Sequence, residues 1–436
     1  EEMEAGYRLC LAAADAGVGE ISRHAPLTMQ RIARYLGAQM MFHAMVYRRF
    51  DPSLWLRLHG LLADAERFGR AGERVKDSLE SDDGVSTVHE AYVCVVLEQA
   101  AYLSEMTAAQ IDFLAAILRM WVRKVQVATE PPAVAEGHAT FPLAVDLQKP
   151  IGARPLNADD RQPHHRILDI DPLSKSIRRR IKALQAGEEP VAMGLPPDAS
   201  AIDALIQLQR LHKLWCEGAP PRPPAKVPDE KSVGLAFGLP EIHFFVTGGV
   251  TFEQPDKSRE LSRQEKDDLA VFGKVSERTQ QLRLSEFNYQ LESWGIVDEM
   301  LGAWRLARPP TASKGVAIGR IVAMRLAEGG PFFLGMVRAL VQETDGRIVI
   351  SITLFPGRPE PIAVRASDSR NRGGHQWMQG FRLPPMERIG TPESLVVPTG
   401  MAARGRGIET WKGEPRESTV YEILDRGSDF DRVTIF

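Results

Sequence analysis

The sequence predicts an α+β fold, in which a helical N-terminal part is followed by a C-terminal part built from short antiparallel strands. Apolar residues recur at helical spacing up to about residue 217, and β-branched or aromatic runs separated by Gly and Pro follow it. Between the two parts, five prolines crowd into residues 220–228. With 436 residues the chain has room for about two to four domains, each with its own core.

Four helices are predicted within residues 1–130, which we expect to form an antiparallel helical domain. Their apolar faces lie in residues 32–47, 54–68, 88–103 and 111–121. Asp51-Pro52 provides a start signal and a first-turn proline for the second helix. Thr107 and Gln110 form a capping-box pattern that begins the fourth helix.

Residues 131–217 are predicted to be a mixed middle region. The short apolar runs 141–147 and 167–170 are interpreted as strands or irregular crossings. Helices are predicted to resume at Asp171-Pro172 and again between residues 198 and 215. The prolines that follow cannot continue a helix, so they indicate a stiff linker.

Residues 218–356 are predicted to form an antiparallel β-barrel, and residues 357–436 a second small β unit. Strands of the barrel are predicted over residues 232–239, 242–247, 315–326, 332–341 and 347–355. Asp345-Gly346 is the expected hairpin turn. Residues 257–294 are interpreted as a helical insertion in the barrel. Strands of the second unit are predicted over residues 394–397, 407–411, 419–424 and 432–436.

Two fragments that stand before predicted strands provide the candidate binding residues. Arg222 and Lys226 are cations four positions apart in the linker, and Thr311, Ser313 and Gly315 form a small hydroxyl and glycine turn. An arginine can donate two hydrogen bonds to a phosphate or to the edge of a guanine. A turn that contains glycine lets a ligand approach the backbone closely. The pattern therefore predicts a site for a phosphorylated ligand. The alternatives are solvated linker charges and an ordinary turn.

Arg305 and Arg308 lie just before this turn and are further candidates for the ligand site, because they could add positive charge. The alternative for both is an exposed cation at the edge of a strand.

These fragments resemble the signature of the PilZ domain, the bacterial receptor module for cyclic di-GMP. That signature is Arg-x-x-x-Arg followed by Asp/Asn-x-Ser-x-x-Gly. Lys226 stands here in place of the second arginine, Thr311 in place of the acidic or amide residue, and Gly315 comes one residue early. Residues 54–68, 234–245 and 422–436 are similar to PilZ-related surface-attachment receptors that carry a helical region before the barrel.

The resemblance implies a non-catalytic, cytoplasmic bacterial signalling protein that binds cyclic di-GMP and relays it to a protein partner. The ligand residues would be Arg222, Lys226, Arg305, Arg308, Thr311, Ser313 and Gly315. The partner would belong to pilus, flagellar or secretion machinery, and neither a cofactor nor a metal is implied. The alternative is an interaction scaffold whose degenerate PilZ-like barrel no longer binds nucleotide.

Composition and motif content disfavour several other classes of protein. A net charge of −3 and a pI near 6.4 provide no overall basic field for nucleic acid. No catalytic signature such as Gly-x-Ser-x-Gly or His-Glu-x-x-His occurs, so no enzyme is predicted. No run of about eighteen apolar residues predicts a membrane span, and the acidic first residues are unlike a signal peptide.

Four smaller features are interpreted as structural. The three cysteines are expected to be free, buried thiols in a reducing cytoplasm. His164-His165 is interpreted as a surface pair, because no third metal ligand stands at helical spacing from it. Residues 178–180 are three arginines on a charged helix face, and the Gly/Arg loop 400–407 is expected to be a hairpin.

Overall fold

The computed structural model describes residues 1–78, 84–131, 141–218, 231–255, 289–300, 302–309, 315–367 and 376–436. The chain divides into two compact units, Glu1–Pro224 and Ala225–Phe436. The proline-rich linker and most of the predicted insertion lie outside the described residues. The division into four domains therefore remains a prediction.

The first unit is mainly helical, as the sequence predicts. Its helices are α1 (Glu2–Asp15), α2 (Ala25–Met45), α3 (Ser53–Arg67), α4 (Val88–Ala100), α5 (Ala108–Trp121), α6 (Asp171–Gln185) and α7 (Ala201–Cys216). The predicted capping box of α5 is confirmed. The amide of Gln110 donates to Thr107 Oγ1, and the amide of Thr107 donates to Gln110 Oε1.

One apolar core runs from α2 to α7. α2 and α4 approach so closely at Gly37 that an added Cβ would stand 2.4 Å from a methyl carbon of Val95. α7 is joined to α4 by the indole of Trp215, which donates a hydrogen bond of 3.1 Å to the carbonyl of Leu97. The residues after the first four helices therefore complete the same core.

The described part of the first unit contains six short strands. They are β1 (Val75–Lys76), β2 (Val85–Ser86), β3 (Gln126–Ala128), β4 (Leu143–Asp146), β5 (Arg154–Pro155) and β6 (His165–Asp169). β1 and β2 pair with each other, and the other four form an antiparallel sheet in the order β3-β6-β4-β5. The two apolar runs of the middle region are thus strands.

The second unit contains two closed six-stranded antiparallel barrels. The first is built from β7 (Ser232–Phe237), β8 (Glu292–Met300), β9 (Ala303–Arg308), β10 (Ile321–Arg325), β11 (Phe332–Gln342) and β12 (Ile348–Leu354). Helix α8 (Leu239–Val246) follows β7. The strand order around the barrel is β10-β11-β12-β9-β8-β7, and β7 closes it by pairing with β10.

The first barrel corrects three predictions. The strand expected over residues 242–247 is wrong, because those residues belong to α8, which begins with a first-turn proline and Glu241. The predicted insertion extends too far, because residues 292–294 already form the start of β8. The strand expected from residue 315 begins only at Ile321.

The second barrel is larger than the small β unit that the sequence predicts. It consists of β13 (Glu360–Ser367), β14 (Met378–Leu383), β15 (Ser394–Pro398), β16 (Gly407–Trp411), β17 (Pro415–Arg426) and β18 (Phe430–Ile435). The last four strands were expected, and β13 and β14 were not. Phe381 and Phe430 pack in one apolar cluster with Ile242 of α8, so the two barrels share a core.

Two of the smaller expectations have mixed outcomes. All three cysteines are free, as expected, and Cys216 is buried. Cys10 on α1 is exposed, so the expectation of a buried thiol is wrong for that residue. Arg178 and Arg179 are exposed, whereas Arg180 is half-buried with its guanidinium 4.7 Å from the ring centre of Trp121.

No helix in the described ranges is long and apolar enough to cross a membrane.

Candidate ligand-binding site

Only part of the predicted ligand site lies within the described residues. Arg222, Lys226, Thr311 and Ser313 lie outside them. Gly315 is described, and an added Cβ there would meet no atom within 4 Å, so the chain has open space beside it. The backbone at Gly315 is therefore accessible, as a ligand-binding turn requires.

Arg320, just before β10, links Gly315 to the second barrel. Its Nη1 donates a hydrogen bond of 2.7 Å to the carbonyl of Gly315, and its Nε lies 3.8 Å from Asp429 Oδ2. The guanidinium also lies 5.8 Å from the ring centre of Phe237. The side chain of Arg320 is 33% exposed, so it places positive charge at the end of the first barrel where β10 begins, which we call the rim.

Asp429, in the turn between β17 and β18, contacts both Ile321 and Arg320 at this rim. Its Oδ1 accepts a hydrogen bond of 2.9 Å from the amide of Ile321, the first residue of β10. Burial raises the pKa of Asp429, although that hydrogen bond and the charge of Arg320 act in the opposite direction. The carboxyl group is thus positioned mainly by the backbone and only weakly by the arginine.

Glycines make the close approach at this rim possible. Gly319 has a φ of +78°, and an added Cβ would stand 3.2 Å from the amide nitrogen of Ser428. That amide donates a hydrogen bond of 2.8 Å to the carbonyl of Gly319. Gly238, at a φ of +85°, leaves room for a terminal nitrogen of Arg320. The turn between β17 and β18 therefore packs directly against Gly319, four residues after Gly315.

Arg308 lies inside the first barrel. Its Nη1 is 2.5 Å from Glu292 Oε2, and its guanidinium lies 4.8 Å from the ring centre of Trp294. The indole of Trp294 donates to the same carboxylate oxygen at 3.2 Å. Arg308 is only 4% exposed, so the alternative of an exposed edge cation is wrong for it.

Arg305 occupies a central strand as well. In the strand register it stands opposite Ser351 of β12 and Asp298 of β8, and it is half-buried. β9 is paired on both sides, so it is not an edge strand. A role of Arg305 or Arg308 in ligand binding remains a prediction.

The Gly/Arg loop of the second barrel is not the hairpin that the sequence predicts. β15 pairs with β14 and β18, whereas β16 pairs with β13 and β17, so the loop crosses between non-neighbouring strands. Arg406 donates to the carbonyls of Gly400 and Met401 and braces the loop.

An open cavity of about 970 Å³ lies beside this loop, and its polar lining includes Ser367, Thr399, Arg404, Glu417 and Thr419. Of the predicted ligand residues that the structure describes, Arg305, Arg308 and Gly315, none lines this cavity.

Comparison with known proteins gives two matches. Residues 1–132 match the sequence profile of the N-terminal domain of the cyclic-di-GMP receptor FimW. The chain is 21% identical over 430 aligned residues to the cyclic-di-GMP receptor FimW of Pseudomonas aeruginosa, with 90% of this chain and 69% of that protein covered. No solved structure matches the chain. These two matches confirm the resemblance to cyclic-di-GMP receptors with a helical N-terminal region that the sequence indicated.

Proposed function

We propose that this chain is a non-catalytic signalling protein that binds cyclic di-GMP and relays its presence to a protein partner. The observation that carries the proposal is the similarity to a cyclic-di-GMP receptor over 90% of the chain. The helical unit followed by six-stranded barrels agrees with it. The three free cysteines fit a reducing cytoplasm, where we place the protein.

The ligand residues that we propose are Arg222 and Lys226 for the phosphates and guanine edges, with Thr311, Ser313 and Gly315 as the floor. The open space at Gly315 supports this assignment. Arg320, which the sequence pattern did not single out, adds positive charge one hydrogen bond away from Gly315 of that floor. Pilus, flagellar and secretion components are the candidate partners.

Replacing Arg222 with alanine is expected to weaken cyclic di-GMP binding by about ten- to a hundredfold, because one charge-assisted bidentate contact contributes about 1.5–3 kcal/mol. Isothermal titration calorimetry of the full chain with cyclic di-GMP measures the change. Arg358→Ala removes an exposed arginine from the connection between the barrels and serves as the matched control. If the unmodified chain gives no heat at high micromolar ligand, the scaffold alternative replaces the receptor proposal.

Replacing Lys226 with arginine is expected to tighten binding, because a planar guanidinium contacts a phosphate or guanine edge at two points and an ammonium at one. Thr311→Asp is expected to leave the affinity unchanged or to raise it. The same titration measures both variants. Unchanged affinity of Lys226→Arg would place that residue outside the ligand site, and weaker binding would contradict the expected gain.

A further inference from the structure

An aspartate and two histidines meet in the sheet of the first unit, away from the predicted ligand residues in sequence. Asp146 ends β4, and it stands directly opposite His165, the first residue of β6, in the antiparallel register. His164 precedes β6, and its ring lies 4.6 Å from that of His165, centre to centre. Directly opposed residues of an antiparallel pair have neighbouring Cβ atoms, so the strand pairing itself brings this cluster together.

The distances in the cluster are too long for hydrogen bonds and close to those between ligands of one metal ion. His164 Nε2 lies 3.7 Å from Asp146 Oδ1, and His165 Nε2 lies 3.7 Å from Asp146 Oδ2. Nitrogen and oxygen atoms that share a hydrogen bond stand about 2.7–3.2 Å apart. Two ligands of a tetrahedral zinc ion, each bonded at about 2.0–2.1 Å, stand about 3.4 Å apart.

Burial also sets the cluster apart from a chance surface pair. The side chains of Asp146 and His165 are only 4% and 7% exposed. His165 Nδ1 accepts a hydrogen bond of 3.2 Å from the amide of Gln162, and Nε2 is the ring nitrogen that faces Asp146. The interpretation of His164-His165 as a surface pair is therefore wrong for His165. The third ligand that the sequence lacked at helical spacing is Asp146, across the sheet.

We propose that Asp146, His164 and His165 bind one divalent transition-metal ion of the zinc class. Two imidazoles and one carboxylate form a donor set that suits zinc, and their ligand atoms lie within 4.8 Å of one another. Water would fill the fourth position. Asp160 Oδ1 lies 3.5 Å from His165 Nε2, but its carboxylate is held by Arg154 and by the amide of Asn157, so it acts as an outer carboxylate.

Lys149 occupies the place of a cation in the metal-free site. Its Nζ lies 2.9 Å from Asp146 Oδ2, and its side chain is 60% exposed. The amide of Gln148 donates a further hydrogen bond of 3.0 Å to Asp146 Oδ1. Because Lys149 is exposed, its ammonium can move into water when a metal ion binds Asp146. The proton on His165 Nε2 then moves to Nδ1, which breaks the hydrogen bond that Nδ1 accepts from the amide of Gln162.

A bound ion would link β4 to β6 through Asp146 and His165. The ion would join the two ends of the segment that runs from Asp146 to His164. An ion that binds the folded state in preference to the unfolded one raises the stability of that state by linkage. The thermal midpoint of unfolding should therefore rise with the concentration of free zinc.

The test is a titration of the full, tag-free chain with ZnCl₂ after treatment with a chelator, followed by calorimetry and by thermal unfolding. It is carried out in a Cys10→Ser background, so that the exposed thiol of Cys10 cannot contribute to the zinc signal. We expect one zinc ion per chain and an affinity about tenfold or more lower in His164→Ala and in Asp146→Asn. Lys149→Gln is expected to tighten binding, because it removes the competing ammonium.

Asp159→Asn and His24→Ala alter exposed residues of the same types outside the cluster and should bind zinc like the parent. His164→Ala removes a half-exposed ring, and its thermal unfolding without metal shows whether the variant is folded. Equal zinc affinity in the parent, His164→Ala and Asp146→Asn, or no rise of the thermal midpoint in the parent, would overturn the proposal.

Discussion

Replacing Arg308 with alanine is expected to lower the free energy of unfolding by about 3–5 kcal/mol, because it leaves the Glu292 carboxylate buried without its guanidinium. Both side chains are almost fully buried, at 3% and 8% exposure, and Trp294 packs against the pair. Urea denaturation of the full chain measures the loss. A loss below about 1 kcal/mol would show that water reaches Glu292 and replaces the arginine.

The double variant Arg308→Met with Glu292→Leu distinguishes the cost of an unpaired buried charge from the contribution of the ion pair itself to stability. Removal of both charges is expected to restore most of the stability, because an apolar pair of similar volume carries no desolvation cost. Arg358→Ala, at an exposed position, serves as the control and should change stability by less than about 0.5 kcal/mol. The double variant also tests the candidate ligand role of Arg308, since unchanged cyclic di-GMP affinity would restrict that residue to a structural role.

The helices of the first unit could be predicted from sequence because their signals are local. The capping box at Thr107 and Gln110 involves groups three residues apart, and the structure contains it as predicted. The turn at Asp345-Gly346 is equally local, with Gly346 at a φ of +85° between β11 and β12. Signals of this kind require no knowledge of the remote chain.

The barrels were harder to predict because closure depends on remote pairing. Helix α8 is eight residues long, and a mostly apolar segment of that length fits a buried strand as well as a short helix. β9 did contain a usable signal. Trp304, Leu306 and Arg308 alternate along the strand and are all buried, so the period of two could have placed Arg308 on the inward face.

The metal cluster shows a second limit of prediction from sequence. Asp146 and His165 are remote in sequence, and only the pairing of β4 with β6 makes them neighbours. A search for ligands at helical spacing from His164-His165 cannot find a partner on another strand. The same limit applies to Arg320 and Asp429, which the turn between β17 and β18 brings together.

Replacing Glu98 with glutamine is expected to raise the free energy of unfolding by about 2–3 kcal/mol at pH 8 and to leave it nearly unchanged below about pH 4.5. Burial raises the pKa of Glu98 to about 7, although the hydrogen bond with Cys94 and the charge of Arg34 act to lower it. The folded state therefore binds the proton of this carboxyl more tightly than the unfolded chain does, whose glutamate has an ordinary pKa near 4.5. The stabilisation is complete below pH 4.5 and is lost as the pH rises to about 7.

A neutral amide removes this pH dependence and keeps an oxygen that can accept from the thiol of Cys94, which lies 3.5 Å from Glu98 Oε1. The measurement is the difference in free energy of unfolding between Glu98→Gln and the parent, taken by urea denaturation at several pH values. The contributions of other titrating groups cancel in that difference. Glu130→Gln changes an exposed glutamate and should give a difference near zero at every pH. A constant difference for Glu98→Gln from pH 4.5 to pH 8 would mean that Glu98 is charged throughout this range. The stabilisation of the carboxylate by Cys94 and Arg34 would then exceed the cost of its burial.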